Sequence, residues 1–251
     1  MTIKLYGIHP VLEALKKRPK AFKNITLSRK EGKTLDPLLV LASKAEINVC
    51  HDVSEKIAKL ANSDSHQGVV AEVEPYPFVD LQTLSKNARK EDKKLFFLVL
   101  DSIQDPHNFG ALIRSALCSG VQAVIFPKDR SAQLTGTVAK SSAGAIEHMQ
   151  FCRVVNIASA LDALKKEGLW IAGAFADSKE TMYSVDFDMD LALVLGNEEK
   201  GVRPLVRKKC DFSVSIPMEG EFDSLNASVA GAVIMFEVMR QRMGQLNRKP
   251  V

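Results

Sequence analysis

Leu95-Phe96-Phe97-Leu98-Val99-Leu100 runs straight into the polar stretch Asp101-Ser102-Ile103-Gln104-Asp105-Pro106-His107-Asn108. Six apolar residues in a row leave no face for water, which is the pattern of a strand buried on both sides in a parallel sheet. Runs of the same kind recur at 123–126, 170–175, 191–195 and 212–216, with helical stretches between most of them. Strands alternating with helices predict an α/β domain over residues 95–251, with a parallel sheet covered by helices on both faces. Its last element, from 226 to 242, reads as a long amphipathic helix followed by a basic tail.

Upstream the texture changes. Residues 1–75 alternate short β-like runs (25–27 and 68–73) with stretches of helical spacing (10–17 and 36–45), which predicts a separate small α/β domain. Asp36-Pro37 is a start signal for its second helix. Pro75 and Pro77 then break regular structure, and Lys86-Asn87-Ala88-Arg89-Lys90-Glu91-Asp92-Lys93-Lys94 is almost wholly polar. Residues 76–94 therefore read as a linker with room for one short helix.

Composition narrows the function classes. With 34 basic against 30 acidic residues the net charge is +4, a mild bias toward an anionic partner. Met1-Thr2-Ile3-Lys4-Leu5 lacks the apolar core of a signal peptide, and the longest apolar runs are strand-sized, so a cytoplasmic protein with no membrane partner is expected. Cys50, Cys118, Cys152 and Cys210 lie far apart and read as buried free thiols. His9, His51, His66, His107 and His148 show no metal spacing, so no metal site is expected. No G-x-G-x-x-G follows a strand, and no Gly-Lys-Ser/Thr loop appears.

Ligands of open α/β sheets sit at the carboxyl ends of the strands, so the polar segments that follow the buried runs are the candidates. In the first, Asp105-Pro106 reads as a turn and Asn108 as a helix cap, which accounts for Asn108 but not for Arg114 amid Ala111, Leu112, Ile113, Ala116 and Leu117. In the second, Gly196 in Leu195-Gly196-Asn197-Glu198-Glu199-Lys200-Gly201 follows a strand directly, where a ligand can approach the backbone. In the third, Ile216-Pro217-Met218 precedes Ser224-Leu225-Asn226-Ala227-Ser228, where Ser224 or Asn226 can also cap the last helix.

Taken in order, these segments resemble the three signature motifs of the SpoU/TrmH family of RNA ribose 2′-O-methyltransferases, within the SPOUT superfamily. Asp105 through Arg114 resembles the first, Leu195 through Gly201 the second, and Ile216-Pro217-Met218 with 224–228 the third. Asn197 departs from the small residue that many relatives carry there. Pro127-Lys128-Asp129-Arg130-Ser131-Ala132, Tyr6-Gly7-Ile8-His9 and His66-Gln67-Gly68-Val69 are similar to the bacterial subgroup that methylates a guanosine ribose of large-subunit rRNA. The resemblance implies a deep trefoil knot in the C-terminal domain and a ribosomal-protein-like RNA-binding domain before it. It further implies a homodimer through the knotted domain, and S-adenosylmethionine as cofactor. The cofactor would be held by Leu195, Gly196, Asn197, Ile216, Met218 and Leu225.

By the same resemblance Arg114 is the central catalytic residue, with Asn108, Glu198, Ser224 and Asn226 completing the polar site and Asn108 orienting Arg114 or the ribose. A guanidinium stays protonated in proteins, so a cation that stabilises the developing alkoxide and grips a phosphate is the expected role, not a base. The basic stretch Lys16, Lys17, Arg18, Lys20, Lys23, Arg29, Lys30, Lys33 then reads as phosphate-contacting. Two alternatives stand beside this: the same chemistry on tRNA, and a non-enzymatic RNA-binding protein that keeps the fold.

Overall fold

The computed structural model describes residues 2–28, 33–90, 93–197, 200–220 and 224–246. In chain order the first elements are β1 (Ile3–Tyr6), α1 (Ile8–Lys17), β2 (Phe22–Ser28), α2 (Asp36–Lys44), β3 (Val49–Asp52), α3 (Ser54–Ala61), β4 (Val69–Val73) and α4 (Leu81–Ala88). There follow β5 (Phe96–Asp101), α5 (Pro106–Cys118), β6 (Ala123–Pro127), α6 (Gly136–Ser141), β7 (Gln150–Val154) and α7 (Ile157–Lys166). The chain continues through β8 (Trp170–Ala174), β9 (Leu191–Gly196), α8 (Pro204–Arg207), β10 (Phe212–Val214) and α9 (Ala227–Leu246). These elements form two compact units. One comprises Met1–Pro77, Phe109–Arg114 and Gln133–His148; the other comprises Phe78–Asn108, Ser115–Ala132 and Met149–Val251.

The second unit carries a six-stranded sheet in the order β10-β8-β9-β5-β6-β7, and every pairing is parallel. The apolar runs at 95–100, 123–126, 170–175 and 191–195 become its four inner strands. All six residues of β5 and all five of β6 are buried, as are the first five of β9. Phe97, Val99, Ala192 and Val194 pack on one face against Leu84 of α4, Leu161 and Leu164 of α7, and Val206 of α8. Alternate residues such as Leu98 and Leu193 point to the opposite face, on which α9 lies beside β9. The expected parallel α/β architecture is thus the observed one.

The first unit has a four-stranded mixed sheet in the order β1-β4-β2-β3, with β4 antiparallel to both its neighbours and β3 parallel to β2. Two mid-chain segments complete this unit. Gly136 opens α6, where a Cβ would collide with the carbonyl of Lys4 in β1. Tyr6 Oη donates to Thr137 Oγ1 at 3.2 Å, and Gln67 Oε1 accepts from Lys140 Nζ at 2.7 Å and from the Ile8 amide at 3.1 Å. Beneath them Glu147, whose side chain is 1% exposed, accepts from Arg18 Nε at 2.6 Å and Tyr76 Oη at 2.7 Å. The Arg18 guanidinium lies 4.2 Å from the Tyr76 ring centre. Burial first, and then the Glu147 charge, push the Tyr76 phenol well above its ordinary range.

The structure adds elements that periodicity misses. β7 forms an edge, where Gln150 and Arg153 interrupt the apolar pattern; β1, β3 and α3 are likewise additional. Within the stretch expected to be a linker, α4 buries Leu84 and Ala88 in the core and is capped by Asp80, which accepts from the Thr83 amide at 2.9 Å. All four cysteines are free thiols as expected, but the expectation of burial is corrected: Cys50 and Cys118 are exposed, Cys210 is partly covered and Cys152 alone is buried. Cys50 lies on the edge strand β3, and Cys118 ends α5 beside the surface turn at Gly120, where neither side chain reaches a core. No helix among the described residues is long and apolar enough to cross a membrane.

Candidate functional site

A pocket opens at the carboxyl ends of three adjacent strands. Ala174, Phe175 and Ala176 enter it from β8, Leu195, Gly196 and Asn197 from β9, and Val214, Ser215, Ile216 and Met218 from β10. Ser224, Leu225, Ala227, Ala230 and Ile234 close it from the start of α9, with Gly201 returning from the β9 loop. The six residues expected to hold the cofactor, Leu195, Gly196, Asn197, Ile216, Met218 and Leu225, are thereby brought together, with Ser224 beside them. Among the described lining residues there is no lysine, arginine or histidine. The wall is built of small and aliphatic side chains and main chain, which suits a flat, uncharged ring system and does not repel a cation.

The two ends of the β9 loop meet. Asn197 and Gly201 bridge each other, the Gly201 amide donating to Asn197 O at 2.8 Å and the Asn197 amide to Gly201 O at 3.2 Å. Gly201 sits at φ +62°, in the left-handed region that favours glycine. A Cβ on Gly196 would collide with Gly201 and Val202, so only glycine lets the loop fold this closely over the strand end. Asn197, whose amide Nδ2 donates to Ser102 O at 3.3 Å, ties the loop to the end of β5.

Helix α5 places Asn108 elsewhere than at its cap. The sequence allowed Asn108 to be the helix cap. In the structure Asp105 takes that role, accepting from the His107 amide at 2.9 Å, and Pro106 occupies the first turn. Asn108 thus lies inside the helix, and its Oδ1 accepts from Asn226 Nδ2 at 3.1 Å. Asn226 caps α9 with its other atom, Oδ1 accepting from the Ser228 amide at 2.9 Å. The amide pair joins the first motif to the third.

The Arg114 side chain is exposed and makes no hydrogen bond or ion pair among the described residues. It lies six residues beyond Asn108 on α5, about 9 Å along the axis and roughly 120° around it, so the two side chains leave the helix in different directions. Arg114 falls in the stretch of α5 that packs with the first unit, where Gly110 lies so close to Ser141 that any Cβ would clash. Asn108 is thus seen engaged with Asn226, and orientation of Arg114 by Asn108 is not. Glu198 lies outside the described residues, as do Arg29 and Lys30 of the basic stretch. Of that stretch Lys16 pairs with Glu13, Lys23 with Glu74 and Arg18 with Glu147; Lys17 and Lys20 are exposed without a partner among the described residues. No group of three or more His, Cys, Asp or Glu able to hold a metal occurs among the described residues.

Sequence reasoning missed the β8 side of the pocket, Ala174 to Ala176, and Ile234 of α9. The signal was present in the strand run at 170–175, but chain order does not reveal that β8 lies beside β9. It also missed Asp101, wholly buried at the end of β5. A single acid terminating an apolar strand was the available sign.

Comparison with known proteins agrees with this geometry. Residues 95–236 match the SpoU rRNA methylase family, and residues 4–79 match the family described as RNA 2′-O ribose methyltransferase substrate binding. The chain is 40% identical over 236 residues to the Bacillus subtilis protein YacO, described as a putative TrmH family tRNA/rRNA methyltransferase, covering 94% of each chain. The fold is similar to that of AviRb from Streptomyces viridochromogenes, a SpoU methyltransferase solved with AdoMet. That match has a TM-score of 0.80 at 24% identity, over 97% of this chain and 91% of the other. A TrmH/SpoU tRNA modifying enzyme of A. aeolicus matches 66% of this chain and 85% of its own, with a TM-score of 0.55 and 27% identity.

Proposed function

The chain belongs to the SpoU/TrmH family of RNA methyltransferases, and from that premise we propose that it transfers a methyl group from S-adenosylmethionine to a ribose 2′-hydroxyl, on a guanosine of large-subunit rRNA. The observation that carries the reading is the pocket at the ends of β8, β9 and β10, into which the second and third motif segments converge. Its chemistry fits the cofactor. Small and aliphatic walls with exposed main chain accept an adenosine, and the lack of basic side chains among the described lining residues suits a sulfonium better than a phosphate-bearing nucleotide. S-adenosylmethionine, when bound, supplies a methyl group that is already electrophilic, so the protein's task is positioning and charge stabilisation, not metal activation.

In this reading main-chain groups around Leu195, Ile216, Met218 and Leu225 hold the adenine and ribose, and Gly196 and Asn197 shape the rim. Asn108 and Asn226 set the polar edge next to Ser224, with Glu198 contributing from the β9 loop. Arg114, exposed and unpaired among the described residues, is the cation for the 2′-oxygen and a neighbouring phosphate. Residues 1–75 bind RNA in the cytoplasm through their basic face. The passage from β9 to α9 forms the family's knot. A homodimer is supported by α9, where Val229, Phe236 and Met243 stand exposed at seven-residue spacing, 48%, 42% and 53% accessible, while Ile234, Met235 and Val238 of the same helix are buried.

Mapping 2′-O-methyl sites on total RNA from cells with and without the gene tests the reaction and its substrate together. Loss of one guanosine mark in large-subunit rRNA is expected. Loss of a tRNA mark instead would move the substrate, and no change in any ribose mark would leave an RNA-binding protein without the activity. Titration calorimetry should show S-adenosylmethionine binding that survives chelation, and Ala230→Phe, which fills the pocket, should abolish it.

A further inference from the structure

We propose that Arg203 and Arg207, at the two ends of the short helix α8, are positioning residues for the cofactor: they fix the two loops that form the β8 and β9 sides of the pocket. The inference rests on the reading of that pocket as the cofactor site.

The geometry starts at Asp101. In the β5–β9 register Asp101 lies beside Gly196, the residue at which the chain leaves β9 for the pocket loop. The chain returns to Asp101 seven residues on. The Arg203 amide donates to Asp101 Oδ2 at 2.9 Å, while Arg203 Nε and Nη2 reach Oδ1 at 2.8 and 2.6 Å. The strand end at Gly196 and the returning chain at Arg203 thus meet at a single carboxylate whose side chain is 0% exposed. Loop strength alone does not call for such a pair, since a buried ion pair contributes little more than well-packed apolar residues would. A forked guanidinium on a fixed carboxylate does set direction.

One turn later Arg207 does the same on the other side. Its Nη2 donates to both oxygens of Asp177 at 2.8 and 2.9 Å, and its guanidinium lies 4.5 Å from the centre of the Phe175 ring. Phe175 and Ala176 line the pocket. The Arg207 amide donates to Arg203 O at 2.9 Å, and Val206 between them is anchored in the core. Helix α8 is therefore a strut. One end holds the loop after β9 to the end of β5, and the other holds the loop after β8. Neither arginine lines the pocket, so their action on the ligand is through the loops.

The test is calorimetric titration of the full-length protein with S-adenosylmethionine, with steady-state kinetics on RNA in parallel. Arg203→Ala should weaken cofactor binding about tenfold or more and raise the cofactor KM in step, with kcat at saturating cofactor little changed, because a loop displaced by a fraction of an ångström misplaces the ligand. Arg203→Lys, which keeps the charge but not the fork, should fall between, and Arg207→Ala should weaken binding about threefold. Lys209→Ala removes an ion pair to Asp162 at 2.7 Å, about as exposed as Arg207–Asp177, on the segment just past α8; its affinity should equal that of the wild type. Cofactor affinity unchanged in Arg203→Ala, whatever its melting temperature, would overturn the proposal. If Arg203→Ala does not fold, unchanged affinity in both Arg203→Lys and Arg207→Ala would do the same. Failure of the underlying reading looks different: the wild type would not bind, or Ala230→Phe would bind as the wild type does.

Discussion

The two units hold themselves together by different means. The six-stranded sheet is apolar through its inner strands, and its pocket sits at the strand ends, walled by main chain and small side chains. The unit around the four-stranded sheet encloses charge: Arg18, Glu147 and Tyr76 form a closed set linking α1, the stretch after β4 and the turn after α6. The difference teaches that a cofactor site can be made of shape, whereas a surface that meets a polyanion needs cations, some of which are taken up in holding the unit together. Of the basic residues between 16 and 23, Lys16, Arg18 and Lys23 are spent on acids of the same unit, which leaves Lys17 and Lys20.

The largest effect that can break this comparison is expected at Glu147. Glu147→Ala leaves the Arg18 guanidinium, 18% exposed, without its carboxylate, and should cost about 3–5 kcal/mol in a urea titration, as breaking a buried pair does. An unchanged midpoint would mean that charge does not hold that unit together. Next comes Arg114. Arg114→Ala should lower single-turnover methylation about 100-fold, with the melting temperature and cofactor affinity nearly unchanged because the side chain is exposed and has no ion pair among the described residues. Arg114→Lys should fall between, and its rate should not climb to that of the wild type at high pH; a climb would assign the residue as a base. The smallest effect sharpens the comparison. The double variant Lys17→Ala, Lys20→Ala should weaken RNA binding several-fold and lower the salt dependence of log K by roughly 1.4–1.8, two phosphate contacts' worth. Cofactor binding should be untouched, and an unaltered salt slope would remove these lysines from the RNA face.

Legibility in the sequence followed burial. Runs such as 95–100 and 191–195 announce inner strands because both faces exclude water, and the polar segments after them locate the strand ends. β7, with Gln150 and Arg153 in an edge position, carries no such signal; α4 is legible only as room for one short helix, and the burial of its Leu84 and Ala88 is not. At the proposed site, motif order singled out Asn108, Gly196 and Asn226, but not their arrangement. That Asp105 takes the capping role and leaves Asn108 to pair with Asn226 depends on where two helices 118 residues apart begin. Asp101, Arg203 and Arg207 escaped for the same reason: each partner lies on a different strand end or loop, and sheet order is not written along the chain.

The segment Gln133–His148, which completes the unit begun by Met1–Pro77, has a consequence for synthesis. The ribosome adds about 5–20 residues per second, so the roughly 70 residues between Pro77 and His148 take on the order of 4–14 s to appear. Throughout that time the nascent N-terminal portion lacks Gly136 against Lys4, Thr137 for Tyr6 and Glu147 for Arg18. The unit is therefore finished late, from the middle of the chain. A truncation at residue 77 would freeze the protein at that unfinished stage, with the Arg18 charge facing water where its carboxylate should be.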